Sequence, residues 1–168
     1  MSSIKKLALA GILVGVGVAL SPFSIPLGIA RAFPIQHMIN VIAGVILGPW
    51  YAVIMAFSTS LIRNLLGTGT FLAFPGSMFG ALLAGLVAKR TDGKLFPTCV
   101  GELIGTGLLG ALTAYPVATF VMGREVAVFG FVVPFLASSL VGSAIAFIFL
   151  RILRHTRVFS ANTLGGGI

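Results

Sequence analysis

The chain has 168 residues, 58% of them hydrophobic and only 8% charged, with a mean hydropathy of +1.13, a composition that excludes an ordinary water-soluble domain. Its formal net charge of +8 would point to nucleic acid in a soluble protein; here the charges form short clusters between long apolar blocks, so they read as membrane topology and no nucleic-acid partner is expected. The single cysteine, Cys99, excludes an internal disulfide and a cysteine-based metal cluster.

A helix crosses the hydrocarbon core with about 20 apolar residues. Uncharged runs of that order recur: 24 residues between Lys6 and Arg31, 31 between Arg31 and Arg63, 25 between Arg63 and Lys89, 21 from Leu103 to Gly123 and 25 from Val126 to Leu150. The first run predicts a helix from Ile4 to Leu20, stopped at Ser21-Pro22 because proline lacks the N–H that continues the ladder. Lys5-Lys6 ahead of an apolar run also fits a cleaved signal sequence. Further hydrophobic blocks follow, however, and Ser21-Pro22 is a poor cleavage site, so the segment is read as a retained span. Residues 21–34, with Pro22, Pro26, Gly28 and Pro34, are predicted to form a loop.

The 31-residue run is too long for one span, and Gly48-Pro49 divides it. Pro34 then opens helix two, Gly48 ends it and Pro49 opens helix three, the proline-first, glycine-last pattern of a helical hairpin. Helix two is short: some 14 residues rise about 21 Å, less than the ~30 Å core, and short helices beside irregular segments border cavities. Helix three is predicted to reach Leu66 before the turn Gly67-Thr68-Gly69-Thr70. Helix four starts at or before Pro75 and runs to Ala88, helix five from Pro97 to Tyr115-Pro116, and helix six from Phe131 to Leu153. Residues 1–159 make one membrane domain, and the tail 160–168 is expected to be disordered. The fold class is therefore all-α, a polytopic bundle of six helices. With six spans Lys5, Lys6, Lys89, Arg90, Lys94, Arg151, Arg154 and Arg157 share one face against Arg31, Arg63 and Arg124 on the other, which places both termini in the cytoplasm.

Polar residues within the bilayer are costly, so their positions carry the functional signal. Gln36, His37 and Asn40 fall in the first two turns of helix two, with Gln36 and Asn40 on one face. Ser58, Thr59, Ser60, Arg63 and Asn64 fall in the outer half of helix three, Thr113 and Tyr115 at the outer end of helix five, and Ser138 and Ser139 near the start of helix six. Such groups also bond simply from helix to helix or to their own backbone, and Arg31 and Arg63 also fit an interfacial, snorkelling role. Glu102 is expected in the inner half, away from the other polar groups, as a buried carboxyl bonded to a neighbouring helix. Small residues recur every fourth position as Gly11, Gly15 and Ala19 in helix one and as Gly76, Gly80, Ala84 and Ala88 in helix four; the second stripe suits internal packing, and the first suits docking of a partner subunit.

Motifs for zinc hydrolysis, serine catalysis and phosphate binding are absent, so the chain is not expected to be an enzyme or to need a cofactor or metal, and any energy for transport comes from other subunits. The segments Phe33-Pro34-Ile35-Gln36-His37-Met38-Ile39-Asn40-Val41-Ile42-Ala43-Gly44, Gly48-Pro49-Trp50-Tyr51-Ala52, Arg63-Asn64-Leu65-Leu66-Gly67-Thr68-Gly69, Phe74-Pro75-Gly76 and Gly101-Glu102-Leu103-Ile104-Gly105-Thr106-Gly107 resemble the ThiW family, and the resemblance spans about residues 5–155. It implies a substrate-binding S component of an energy-coupling factor (ECF) transporter that captures hydroxyethylthiazole, the thiazole precursor of thiamine. It implies also a membrane T subunit and paired ATPases as partners. Many S components carry Ala-x-x-x-Ala on helix one, where this chain has Gly11-x-x-x-Gly15. The costly polar residues Gln36, His37, Asn40, Arg63 and Asn64 are the candidates for hydrogen bonds to substrate, since apolar pockets orient ligands with a few polar groups, and Phe71, Phe74 and Tyr115 are those for apolar or stacking surface. The alternatives are an S component for another vitamin, such as thiamine, and a structural membrane subunit.

Overall fold

Helix α1 (Ser3–Ala19) opens the chain, which is described here from a computed structural model covering residues 1–27 and 30–155. It is followed by α2 (Pro34–Ile46), α3 (Pro49–Leu65), α4 (Ala73–Arg90), α5 (Leu95–Val121) and α6 (Val132–His155). Helix α2 is short, as predicted, at 13 residues, with Pro34 in its first turn. Gly48 separates it from α3 at φ 88°, a left-handed backbone value that costs glycine little. The tail from Ser160 and the basic Arg157 lie outside the described residues.

Two expectations are corrected. Residues 21–34 are not all loop, because Ile25–Leu27 (β1) pairs antiparallel with Ala30–Ala32 (β2), in the register Ile25 to Ala32 and Pro26 to Arg31. Three-residue arms are too short for alternation to be distinguished from loop by sequence. The fold is thus nearly all-α. Helix α5 also runs through Pro116 to Val121, where a stop was predicted. Wide π-type turns at Gly105–Gly110 and Val117–Val121 flank that proline, and local widening of this kind lets a helix absorb the missing N–H and the ring.

Helix α4 is central, packed against α2, α3 and α5. Its Gly76, Gly80, Ala84 and Ala88 are all buried, so the predicted stripe serves internal packing. Apolar clusters flank it. Ile39, Ala43, Ala52, Met55 and Ala56 join α2 to α3 near Ala10 of α1; Val41, Ile42, Leu95, Cys99, Ala146 and Leu150 join α2, α5 and α6; and Ala111, Ala114, Ala118, Phe131 and Phe135 close the opposite end.

The outer surface is apolar to a degree that water-soluble monomers do not reach: Ile4, Ile12, Trp50, Ile54, Leu65, Phe96, Phe120, Val133 and Ile148 are all exposed. Lipid, as apolar as these side chains, is the solvent that fits them. Helices α5 and α6, with 27 and 24 residues, are long and apolar enough to cross a bilayer. Lys94, Arg151, Arg154 and His155 gather at one end, where Arg154 donates to the Gly93 carbonyl.

Candidate functional site

At the opposite end from that basic cluster, a cavity of about 430 Å³ opens between α2, α3, α4 and α6 beneath the β-hairpin. Its size is that of a small-molecule site. Gln36 and His37 of α2, Arg63 of α3, Ala73, Gly76 and Ser77 of α4, Phe135 and Ser138 of α6, and Pro26 and Arg31 of the hairpin contribute to its wall.

Arg63 dominates the chemistry. It is only 1% exposed, the largest fully buried side chain among the described residues, and so it does not snorkel to the interface. Its Nη1 donates to Gln36 Oε1 at 3.3 Å, and its guanidinium carbon sits 3.7 Å over the Phe33 ring, a cation–π stack. Nε and Nη2 have no partner among the described residues. The helix below is terminated in a way that forms part of the wall: Gly67, at φ 71°, lets Thr68 N–H reach the Arg63 carbonyl at 2.9 Å while Gly67 N–H bonds the Asn64 carbonyl. Asn64 Nδ2 then donates to the carbonyls of Ser60 (2.8 Å) and Thr70 (3.0 Å), fastening the loop that presents Gly69 and Thr70 to the cavity.

A second polar group lies behind His37. Glu102, fully buried, places Oε1 2.7 Å from His37 Nδ1, and the same oxygen accepts from Thr106 Oγ1 (3.0 Å) and Asn40 Nδ2 (3.2 Å). Asn40 also donates to the Ser77 carbonyl at 3.0 Å. Glu102 is therefore not isolated from the polar residues of α2, as depth along the chain predicted. His37 lies nine residues from the end of α2 and Glu102 seven from the start of α5; at 1.5 Å per residue both sit roughly 10–14 Å from the same face. The shortness of α2 brings its outer turns down to the level of Glu102. Space for the carboxylate is left by Gly80, where an added Cβ would stand 2.6 Å from both carboxylate oxygens.

Of the residues singled out from sequence, Gln36, His37 and Arg63 line the cavity, whereas Asn40 and Asn64 support it from behind. Phe71 is exposed, Phe74 packs on Phe57 with ring centroids 5.5 Å apart, and Tyr115 is half-buried on α5; none of the three is among the lining residues. The lining adds Phe33, Phe135, Arg31 and Arg124, the last two exposed at its rim. Ser138 Oγ, which accepts from Phe33 N–H at 2.7 Å, ties the start of α2 to α6. Phe33 and Phe135 carry no signal that separates them from the chain's other phenylalanines. Arg31 and Arg124 did carry one, since the predicted topology groups them with Arg63 and apart from the basic clusters.

The family model described as thiamine-precursor transporter protein (ThiW) matches residues 7–156. No curated protein and no solved structure matches the chain.

Proposed function

The chain belongs to the ThiW family of thiamine-precursor transporters, and from this we propose that it is the substrate-binding S component of an ECF-type importer, taking hydroxyethylthiazole into the cavity beneath the β-hairpin. The observation that carries the assignment is the cavity wall formed by Gln36, His37 and Arg63, three buried polar side chains beside the apolar Phe33 and Phe135. A small heteroaromatic ring suits those apolar surfaces, and a few fixed donors suffice to orient it. His37 is held by Glu102 through Nδ1, which leaves Nε2 as the ring nitrogen free for a ligand.

In this assignment the cavity opens outward and both termini are cytoplasmic, in keeping with the gathering of Lys94, Arg151 and Arg154 at the other end. Six helices cross or enter the bilayer. Power comes from partner ATPases through a T subunit, which docks on the open face of α1. Gly11, Gly15 and Ala19 are exposed there, and a Cβ at either glycine would meet nothing within 4 Å, so a partner helix has room to approach closely.

Calorimetry of the purified chain tests the substrate. Saturable binding of hydroxyethylthiazole, with thiamine and the pyrimidine precursor much weaker, supports the proposal; tighter binding of thiamine or of another vitamin reassigns the S component. Uptake by cells should stop when the ATPase subunits are deleted while binding by the isolated chain persists.

A further inference from the structure

We propose that the cavity is built for an anionic ligand, so that it prefers, over the neutral alcohol hydroxyethylthiazole, a thiazole derivative whose carboxylate or phosphate monoester group is seated on Arg63. This rests on the cavity being the substrate site. Nη1 of Arg63 is occupied by Gln36, and the two nitrogens left without partners, Nε and Nη2, form the side-on edge of the guanidinium fork. Two parallel N–H donors on that edge match the two oxygens of a carboxylate or phosphate.

Charge balance leads to the same ligand. Arg31, Arg63 and Arg124 all line the cavity, and among the described residues no carboxylate does. The chain has only three acidic residues, Asp92, Glu102 and Glu125. Glu102 is engaged by His37, Asn40 and Thr106, and neither of the others forms an ion pair among the described residues. A guanidinium 1% exposed, bonded only to a neutral amide and a ring, lacks the counter-anion that buried charges require. A ligand that carries its own negative charge supplies it, with Arg31 and Arg124 at the rim drawing it inward. The same field opposes a cation, so intact thiamine, whose thiazolium nitrogen is permanently charged, is excluded while its thiazole half is admitted in anionic form.

The test is binding to the purified full chain of hydroxyethylthiazole, its phosphate monoester, thiamine and inorganic phosphate, by calorimetry and by thermal shift. The monoester should bind at least about tenfold more tightly than the alcohol, with a preference that shrinks as salt is raised. Arg63→Lys, which keeps the charge but loses the fork, should lose most of that preference, and Arg63→Gln all of it. Should Arg63→Gln fail to fold, Arg63→Lys and the exposed pair Arg31→Gln with Arg124→Gln still decide the matter, since each should reduce the preference. Equal or tighter binding of the alcohol overturns the anion seat while leaving the thiazole assignment standing. Stabilisation by inorganic phosphate that Arg63→Lys abolishes, with neither thiazole compound bound, does the reverse. No response to any of the four overturns both.

Discussion

Glu102→Ala should be among the most damaging single substitutions in this protein. The carboxylate oxygen Oε1 is the shared acceptor for His37 Nδ1, Thr106 Oγ1 and Asn40 Nδ2, and no water reaches it. With it gone, Asn40 retains the Ser77 carbonyl, and His37 and Thr106 retain only each other at 3.4 Å. Taking the shared acceptor from buried donors in this manner costs about 1–3 kcal/mol for each group left unsatisfied, a large share of a total stability of about 5–15 kcal/mol. Glu102→Gln keeps the shape and the acceptor but places an amide N–H₂ where Oε2 now has no partner, for a loss of about 1–3 kcal/mol. Denaturant unfolding of the purified protein in detergent, followed by circular dichroism, measures both. A double-mutant cycle with His37→Ala should show a coupling of at least about 1 kcal/mol. Glu102→Ala lying within about 0.5 kcal/mol of the parent, a surface-like effect, or strictly additive losses in the cycle, would refute the arrangement described for this cluster.

Gly80→Ala drives a methyl group against Glu102 and Thr106 and should cost about 1–3 kcal/mol in the same assay. Asn64→Ala removes the side-chain bonds that tie the Thr70 carbonyl to the Ser60 turn of α3; it should cost about 1–2 kcal/mol and weaken substrate binding, because Gly69 and Thr70 lie in the cavity wall. Gly15→Leu, on the open face of α1, should leave unfolding and binding unchanged yet reduce ATP-driven uptake when the partner subunits are present; unchanged uptake removes that face from the docking proposal.

The helical pattern was largely legible in the sequence because it depends on local signals. The 31-residue uncharged run had to break, Gly48-Pro49 supplied the break, and α2 and α3 begin at the two prolines named for them. Likewise, the expense of placing Gln36, His37 and Arg63 in an apolar block marked them, and the structure brings all three to one cavity. Phe71, Phe74 and Tyr115 offer apolar or stacking surface by residue type, but whether a ring faces a cavity or the lipid depends on helix rotation. The course of α5 through Pro116 was hidden for a related reason: its widened turn at Gly105–Gly110 is packed against α4 and α6, contacts that the local sequence does not reveal.

By itself, the sequence determined the solvent, the number and approximate bounds of the helices, the short α2 and the polar residues that burial makes expensive, since all of these follow from the composition of contiguous segments. Only the tertiary structure decided how those polar residues pair. It set Glu102 against His37 across 65 positions of chain and left one edge of Arg63 without a partner. Pairing across helices depends on their relative depth and rotation, and small residues at close contacts, such as Gly80 beside Glu102, set that depth and rotation only once the whole bundle has packed.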